Sequence, residues 1–321
     1  MRPTGKLHLG HLVGALRNWT QLQQEYECYY FVADWHALTS DYAETSGLTS
    51  HALDNVTDWI AAGLDPEKST IFIQSLIPEH AELHLLLSMV VPVPWLERVP
   101  TYKEQQDLLR EKDLSTYGFL GYPLLQTADI IIYHASHVPV GDDQVPHLEL
   151  SREVVRRFNN FYGDVFIEPQ PLLTRFPRLP GLDNRKMSKS YGNAIELSDD
   201  AETVRKKVMQ MYTDPKRVRA DIPGTVEGNP VFVYHDAFNP NTAEVEDLKE
   251  RYKAGRVGDV EVKKKLAAAI NDVLEPLRAR RADVVARPDR VREMAFEGSK
   301  KARRVAQETM ARVRDAVKLR Y

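Results

Sequence analysis

The chain has one cysteine in 321 residues. An internal disulfide is therefore impossible, and so is a metal centre built from clustered cysteines. That thiol, Cys28, sits in the apolar run "CYYFVA", where it reads as a small buried hydrophobe rather than a reactive group. Long hydrophobic runs are missing too. The most apolar stretch, "LHLLLSMVVPVPWL", is broken by Ser88, Pro92 and Pro94, and "MRPTGKLHLGH" has no apolar segment of the kind a signal peptide needs. These absences point to a chain with no membrane span and a cytoplasmic location. Repeats and low-complexity tracts are also lacking. With 43% hydrophobic and 28% charged residues, the chain can bury a full core as two domains or one large one.

Charge is unevenly spread. The net value of -3 conceals 27 Lys and Arg against 19 Asp and Glu over residues 201–321, a balance of +8, and 16 against 27, or -11, over residues 1–200. The basic half, dense in "RARRADVVARPDR" and "KKARR", suits a surface that meets a polyanion, although basic residues also serve solvated helix faces.

The first 200 residues alternate between two periods. Leu12, Leu16, Trp19 and Leu22 form a helical stripe, and "CYYFVAD" follows as a short run suited to a strand buried on both faces. A second helix carries Val56, Trp59 and Ile60, then "GLDPEKS" turns the chain into "TIFIQS". Such βα alternation predicts a parallel sheet. From about Asp200 every periodic segment fits a helix, so the second part reads as all-α. Within it, "TDPKRVRADIPGTVEGNP" reads as a connecting loop of low order.

Two short motifs carry chemistry. "HLGH", His8 to His11, lies where a loop turns into the first amphipathic helix, and a helix N-terminus with an adjacent glycine is a natural seat for phosphate. In "RKMSKS", Arg185 to Ser190, Lys186 and Lys189 can reach one anionic centre from a loop, as a leaving pyrophosphate requires. Asp34 and His36 follow the candidate strand, so they belong at its carboxyl end, where open α/β sheets bind ligands. Tyr122, Gln126 and Asp129 are spaced to share one helix face flanked by apolar residues, with Pro123 suggesting a helix start close by.

This order of motifs on an α/β frame resembles the class I aminoacyl-tRNA synthetases, whose HIGH and KMSKS signatures stand here as "HLGH" and "KMSKS". "RPTGKLHLGHLVGAL", "VADWHALT", "YPLLQTADIIIY" and "VPVGDDQVPHLELSREVVRRFN" further resemble the bacterial tryptophanyl-tRNA synthetases, over most of the chain. The Tyr-x3-Gln-x2-Asp pattern alone also resembles tyrosyl-tRNA synthetase, and the pocket by itself does not choose; "VPVGDDQ" favours the tryptophanyl pattern. A non-catalytic synthetase-like binder of RNA or amino acid is the other alternative.

The resemblance implies a Rossmann-like parallel-sheet catalytic domain, residues 1–195, with a dimer-interface insertion, and a helical tRNA-side domain, residues 196–321. It implies ATP and Mg2+, L-tryptophan, tRNA(Trp) and a homodimer built around "MVVPVPWLERVP". Catalysis would fall to His8, His11, Lys186 and Lys189, with Thr4, Gly5, Gly10, Met187 and Ser188 completing the ATP site. The amino acid would meet His36, Tyr122, Gln126, Asp129, Val138, Gly141, Asp143 and Gln144. No residue is implied as a protein ligand to metal. One departure stands out: relatives carry a strand ahead of "RPTG" that supplies part of the amino-acid pocket, and here only Met1 precedes it.

Overall fold

The structure, a computed structural model, describes residues 1–100, 102, 113–173, 179–187, 191–215 and 217–321. Helix α1 covers 9–22, with a π-helical stretch, Leu12–Leu16, between α-helical turns Leu9–His11 and Arg17–Leu22. Its expected stripe packs inward, and Trp19 stacks on Tyr30 at 4.6 Å and meets the edge of Trp59 at 5.4 Å. Strand β1 is Cys28–Val32, followed by α2 (Asp34–Asp41) and α3 (Leu48–Ala62). Helix α3 stops at Gly63, whose φ of 113° suits a residue without Cβ. Strand β2, Ser69–Ile73, pairs parallel with β1 from Cys28↔Ser69 to Val32↔Ile73, as the alternation predicted.

Then come α4 (Glu79–Ser88), α5 (Val93–Glu97), α6 (Tyr117–Ile131), β3 (His137–Val140), α7 (Val145–Tyr162) and β4 (Gln170–Leu173), with β3 and β4 again parallel. Between the two pairs lies a cavity of about 550 Å³ lined by Tyr29, Phe31, Tyr133 and Val138. Met1 takes a strand-like place beside β1: its amino nitrogen donates to Phe31 O at 2.6 Å, and its carbonyl accepts from Ala33 N at 2.9 Å.

The remainder is helical among the described residues: α8 (Ala201–Met209), α9 (Pro230–Phe238), α10 (Thr242–Lys253), α11 (Asp259–Val285) and α12 (Pro288–Ala316). The connection before α9 is not loosely held, contrary to the composition reading. Arg217 is buried there, donating to Ile222 O, Ala220 O and Asp259 at 2.8 Å each and to Val257 O, with its guanidinium 3.9 Å from the Tyr252 ring centre. One side chain satisfying that many backbone carbonyls substitutes for regular structure.

Apolar packing crosses residue 195. Leu16, Val32, Trp59 and Ile71 share a core with Ile195, Val204, Tyr234 and Ile270, while Phe72, Leu83 and Phe158 share another with Ala302, Met310 and Val313. Helix α12 returns to lie along β2. Ser299 Oγ accepts from Ile73 N at 3.2 Å, and a Cβ on Gly298 would stand 1.9 Å from Ile71 O, so only glycine permits that approach. Much of the basic charge of this half is consumed internally: Arg281 pairs with Asp58 at 2.7 Å, Arg303 with Glu79 at 3.0 Å and Arg314 with Glu82 at 2.5 Å. No helix among the described residues is long and apolar enough to cross a membrane.

Candidate active site

The carboxyl end of β1 and strand β3 border a cavity of about 450 Å³. His36, Tyr122, Gln126, Asp129, Val138 and Gln144 all line it, joined by Arg2, Phe31, Thr39, Ile130 and His147. Helix α6 delivers three of these from one face. It starts at Tyr117, not at Pro123: Thr116 caps it by accepting from Phe119 N at 3.2 Å, and Pro123 lies inside. Burial of Phe119, Leu124, Ala128 and Ile131 along the helix offsets the missing N–H and the ring's crowding.

Gly141 and Asp143 do not line the cavity but shape the turn that presents Gln144. Gln144 N donates to Gly141 O at 2.9 Å, and Gln144 Nε2 donates to Asp143 Oδ2 at 3.2 Å. Asp34 is structural: its carboxylate accepts from Ser75 N at 3.0 Å and from the Ser75 hydroxyl, joining the ends of β1 and β2. His36, two residues on, turns into the cavity.

Asp129 is the electrostatic centre. Oδ1 accepts from Gln74 Nε2 at 2.8 Å and His80 Nδ1 at 2.6 Å, and Oδ2 from His36 Nε2 at 2.8 Å. Burial pushes the carboxyl up, but the hydrogen bonds from His36 and His80 outweigh it and hold the group at about 2. Behind His80, Nε2 lies 2.6 Å from the Tyr133 hydroxyl. Burial takes His147 down to about 4, so it lines the cavity as neutral imidazole. Sequence reasoning missed Gln74, His80, Tyr133, His147 and Arg2. Gln74 alone had a usable signal, since it directly follows the β2 run as Asp34 follows β1.

The two signatures meet each other. His8 caps α1, its N–H donating to His11 Nδ1 at 3.1 Å, and the two rings lie 3.9 Å apart. A Cβ on Gly10 would come within 3.0 Å of the His8 ring and 3.2 Å of Met187 Sδ, so the missing side chain lets the second signature sit against the first. Antiparallel pairing of His8 with Glu196 adds a backbone tie. Asn193 holds the base of the "RKMSKS" segment, donating to Asp183 Oδ1 at 2.8 Å and to Lys186 O at 3.1 Å. Lys186 is exposed and Met187 half-buried. Gly5, at φ 118°, turns the chain between Thr4 and α1. Ser188 and Lys189, and Pro177 before them, lie outside the described residues.

A helix N-terminus carrying two imidazoles, a lysine segment packed on it and a polar-floored cavity at the strand ends define an enzyme that joins a nucleotide to a small molecule. A family model described as tRNA synthetases class I (W and Y) matches residues 1–275, and the chain belongs to that family. Its likeness lies with the tryptophan branch. It is 52% identical to Tryptophan--tRNA ligase of Thermotoga maritima, over 100% of this chain and 98% of that protein, and 51% identical to that of Treponema pallidum, over 99% and 95%. Among solved structures, tryptophanyl-tRNA synthetase from Campylobacter jejuni complexed with ADP and tryptophane matches with a TM-score of 0.87 and 29% identity, covering 99% of this chain and 98% of that one.

Proposed function

We propose that the chain activates L-tryptophan with ATP and transfers it to tRNA(Trp). A carboxylate oxygen of tryptophan attacks the α-phosphorus, the bond to the bridging oxygen breaks, and pyrophosphate leaves with its electron pair, giving tryptophanyl-adenylate. A terminal ribose hydroxyl of the tRNA then attacks the acyl carbon, losing its proton as AMP departs. Holding both reactants side by side supplies about 7–11 kcal/mol of the barrier. His8, His11, Lys186 and Lys189 donate to the phosphate oxygens as charge grows there, with Thr4, Gly5, Gly10, Met187 and Ser188 shaping that seat.

The observation carrying this reading is one cavity that gathers His36, Tyr122, Gln126, Asp129, Val138 and Gln144, together with the packing of the second signature on the first at Gly10 and Met187. Asp129, ionised, accepts an N–H from the indole, and Tyr122 and Gln144 meet the α-amino group. Gly141 and Asp143 support from the turn. Among the described residues no group of three or more His, Cys, Asp or Glu side chains is arranged to hold a metal, so Mg2+ fits as an ion brought in by the ATP phosphates and water, where it offsets phosphate charge.

Residues 1–195 carry the chemistry and residues 196–321 the tRNA side, while α11 and α12 also buttress the first part. Leu85, Met89, Val93 and Phe161 are exposed apolar residues on or near "MVVPVPWLERVP" and support a two-fold homodimer through that face. A cytoplasmic location follows from the tRNA and ATP it uses. The deciding experiment is amino-acid-dependent ATP–pyrophosphate exchange: tryptophan should support it and tyrosine should not. Exchange with tyrosine alone, or with neither, would overturn the reading.

A further inference from the structure

The polar network behind the cavity has an asymmetry. A carboxylate oxygen accepts at two positions. On Asp129, Oδ1 has both filled, by Gln74 and His80, while among the described residues the donor to Oδ2 is His36. His36 lines the cavity, whereas Gln74 and His80 do not. The satisfied oxygen is therefore turned to the wall and the one with an open position to the ligand side.

His80 is held in turn. It has no exposed surface and lies among Phe31, Phe72 and Tyr133, with ring centres 6.1, 6.1 and 5.4 Å away. An ionised Asp129 only accepts, so His80 must carry a proton on Nδ1. Its Nε2 then accepts from the Tyr133 hydroxyl, which burial keeps protonated. Tyr133 is itself fixed by stacking on Tyr29 at 4.7 Å.

We propose that His80, with Tyr133 setting its tautomer and Gln74 beside it, is a positioning residue for side-chain recognition: it locks Asp129 so that Oδ2 is aimed at the substrate's N–H. The proposal rests on the tryptophan reading above. Rotation of Asp129 about its terminal torsion is otherwise easy, and a carboxylate free to turn would accept an N–H and tolerate its absence almost equally.

The test compares L-tryptophan with L-β-(3-benzothienyl)alanine, in which sulfur replaces the indole N–H, by ATP–pyrophosphate exchange. The wild-type chain should favour tryptophan strongly. His80→Leu should raise the tryptophan KM by about 10- to 100-fold and collapse the preference over the sulfur analogue by a similar factor, with ATP KM nearly unchanged. His80→Asn, whose amide N–H replaces Nδ1–H, should restore most of the preference, and Tyr133→Phe should lose part of it in a chain of nearly unchanged volume. If His80→Leu fails to fold, the Asn and Phe variants decide by the same ratio. Retention of the full preference in Tyr133→Phe and, where it folds, in His80→Leu, or equal loss of tryptophan and ATP binding, overturns the proposal. Absence of tryptophan-dependent exchange in the wild type would instead sink the reading beneath it.

Discussion

Replacing Arg303 by alanine should weaken the fold and leave tRNA contacts almost untouched, although its place in "KKARR" suggests a nucleic-acid contact. Arg303 Nε bonds both oxygens of Glu79, at 3.0 and 3.1 Å, across the seam between α12 and α4. The Glu79 side chain is 7% exposed and that of Arg303 46%. Removing one member of a fully buried pair costs 3–5 kcal/mol, and the half-exposed guanidinium reduces this to about 2 kcal/mol. For a chain of this length that is a fall in Tm of about 3 °C, and Arg303→Glu, which sets two carboxylates together, should fall further. Arg304, exposed beside it, offers the contrast. Arg304→Glu should leave Tm within about 1 °C and raise the tRNA KM in charging, more at low salt than at high. Differential scanning fluorimetry and urea midpoints measure the first effect, and charging with exchange as control measures the second. An unchanged Tm in Arg303→Ala would refute the seam argument, and a selective loss of charging there would return Arg303 to the tRNA face.

Further outcomes follow from the same geometry. Asp129→Asn should lower kcat/KM for tryptophan by about 30-fold or more, since an amide donor replaces an acceptor at Oδ2. Because the folded Asp129 sits at about 2 against 3.8 unfolded, its contribution of about 2 kcal/mol is whole above pH 4 and lost as pH falls toward 2; the wild-type minus Asn difference in urea midpoint should close over that window. Lys186→Ala should slow adenylate formation by about 100-fold with little change in ATP KM, which quenched-flow kinetics would check. Asn193→Ala, which frees the Lys186 carbonyl, should lower kcat for exchange by about 3- to 10-fold without altering tryptophan KM. Light scattering should give twice the 36.7 kDa chain mass, and Met89→Asp should return it toward the monomer.

Local pattern determined a good deal by itself. The stripe of Leu12, Leu16 and Trp19, the β1 and β2 runs and the shared face of Tyr122, Gln126 and Asp129 were legible because a helix or strand imposes its period on polarity within a few residues. Both signatures were legible as residue types whose chemistry demands charge and a bare backbone. Only tertiary structure decided the rest. Gln74 and His80 lie about 50 residues from Asp129 in the chain, and no local period marks residues that converge from three elements. The start of α6 ahead of Pro123, the hold of Arg217 on its loop and the return of α12 along β2 escaped for a related reason: each depends on long-range burial or on carbonyls that only the folded chain brings within reach. The positive balance of residues 201–321 was visible in the sequence, but which cations face solvent and which are spent on Asp58, Glu79 and Glu82 is fixed by where the helices dock, because a charge finds its partner in space.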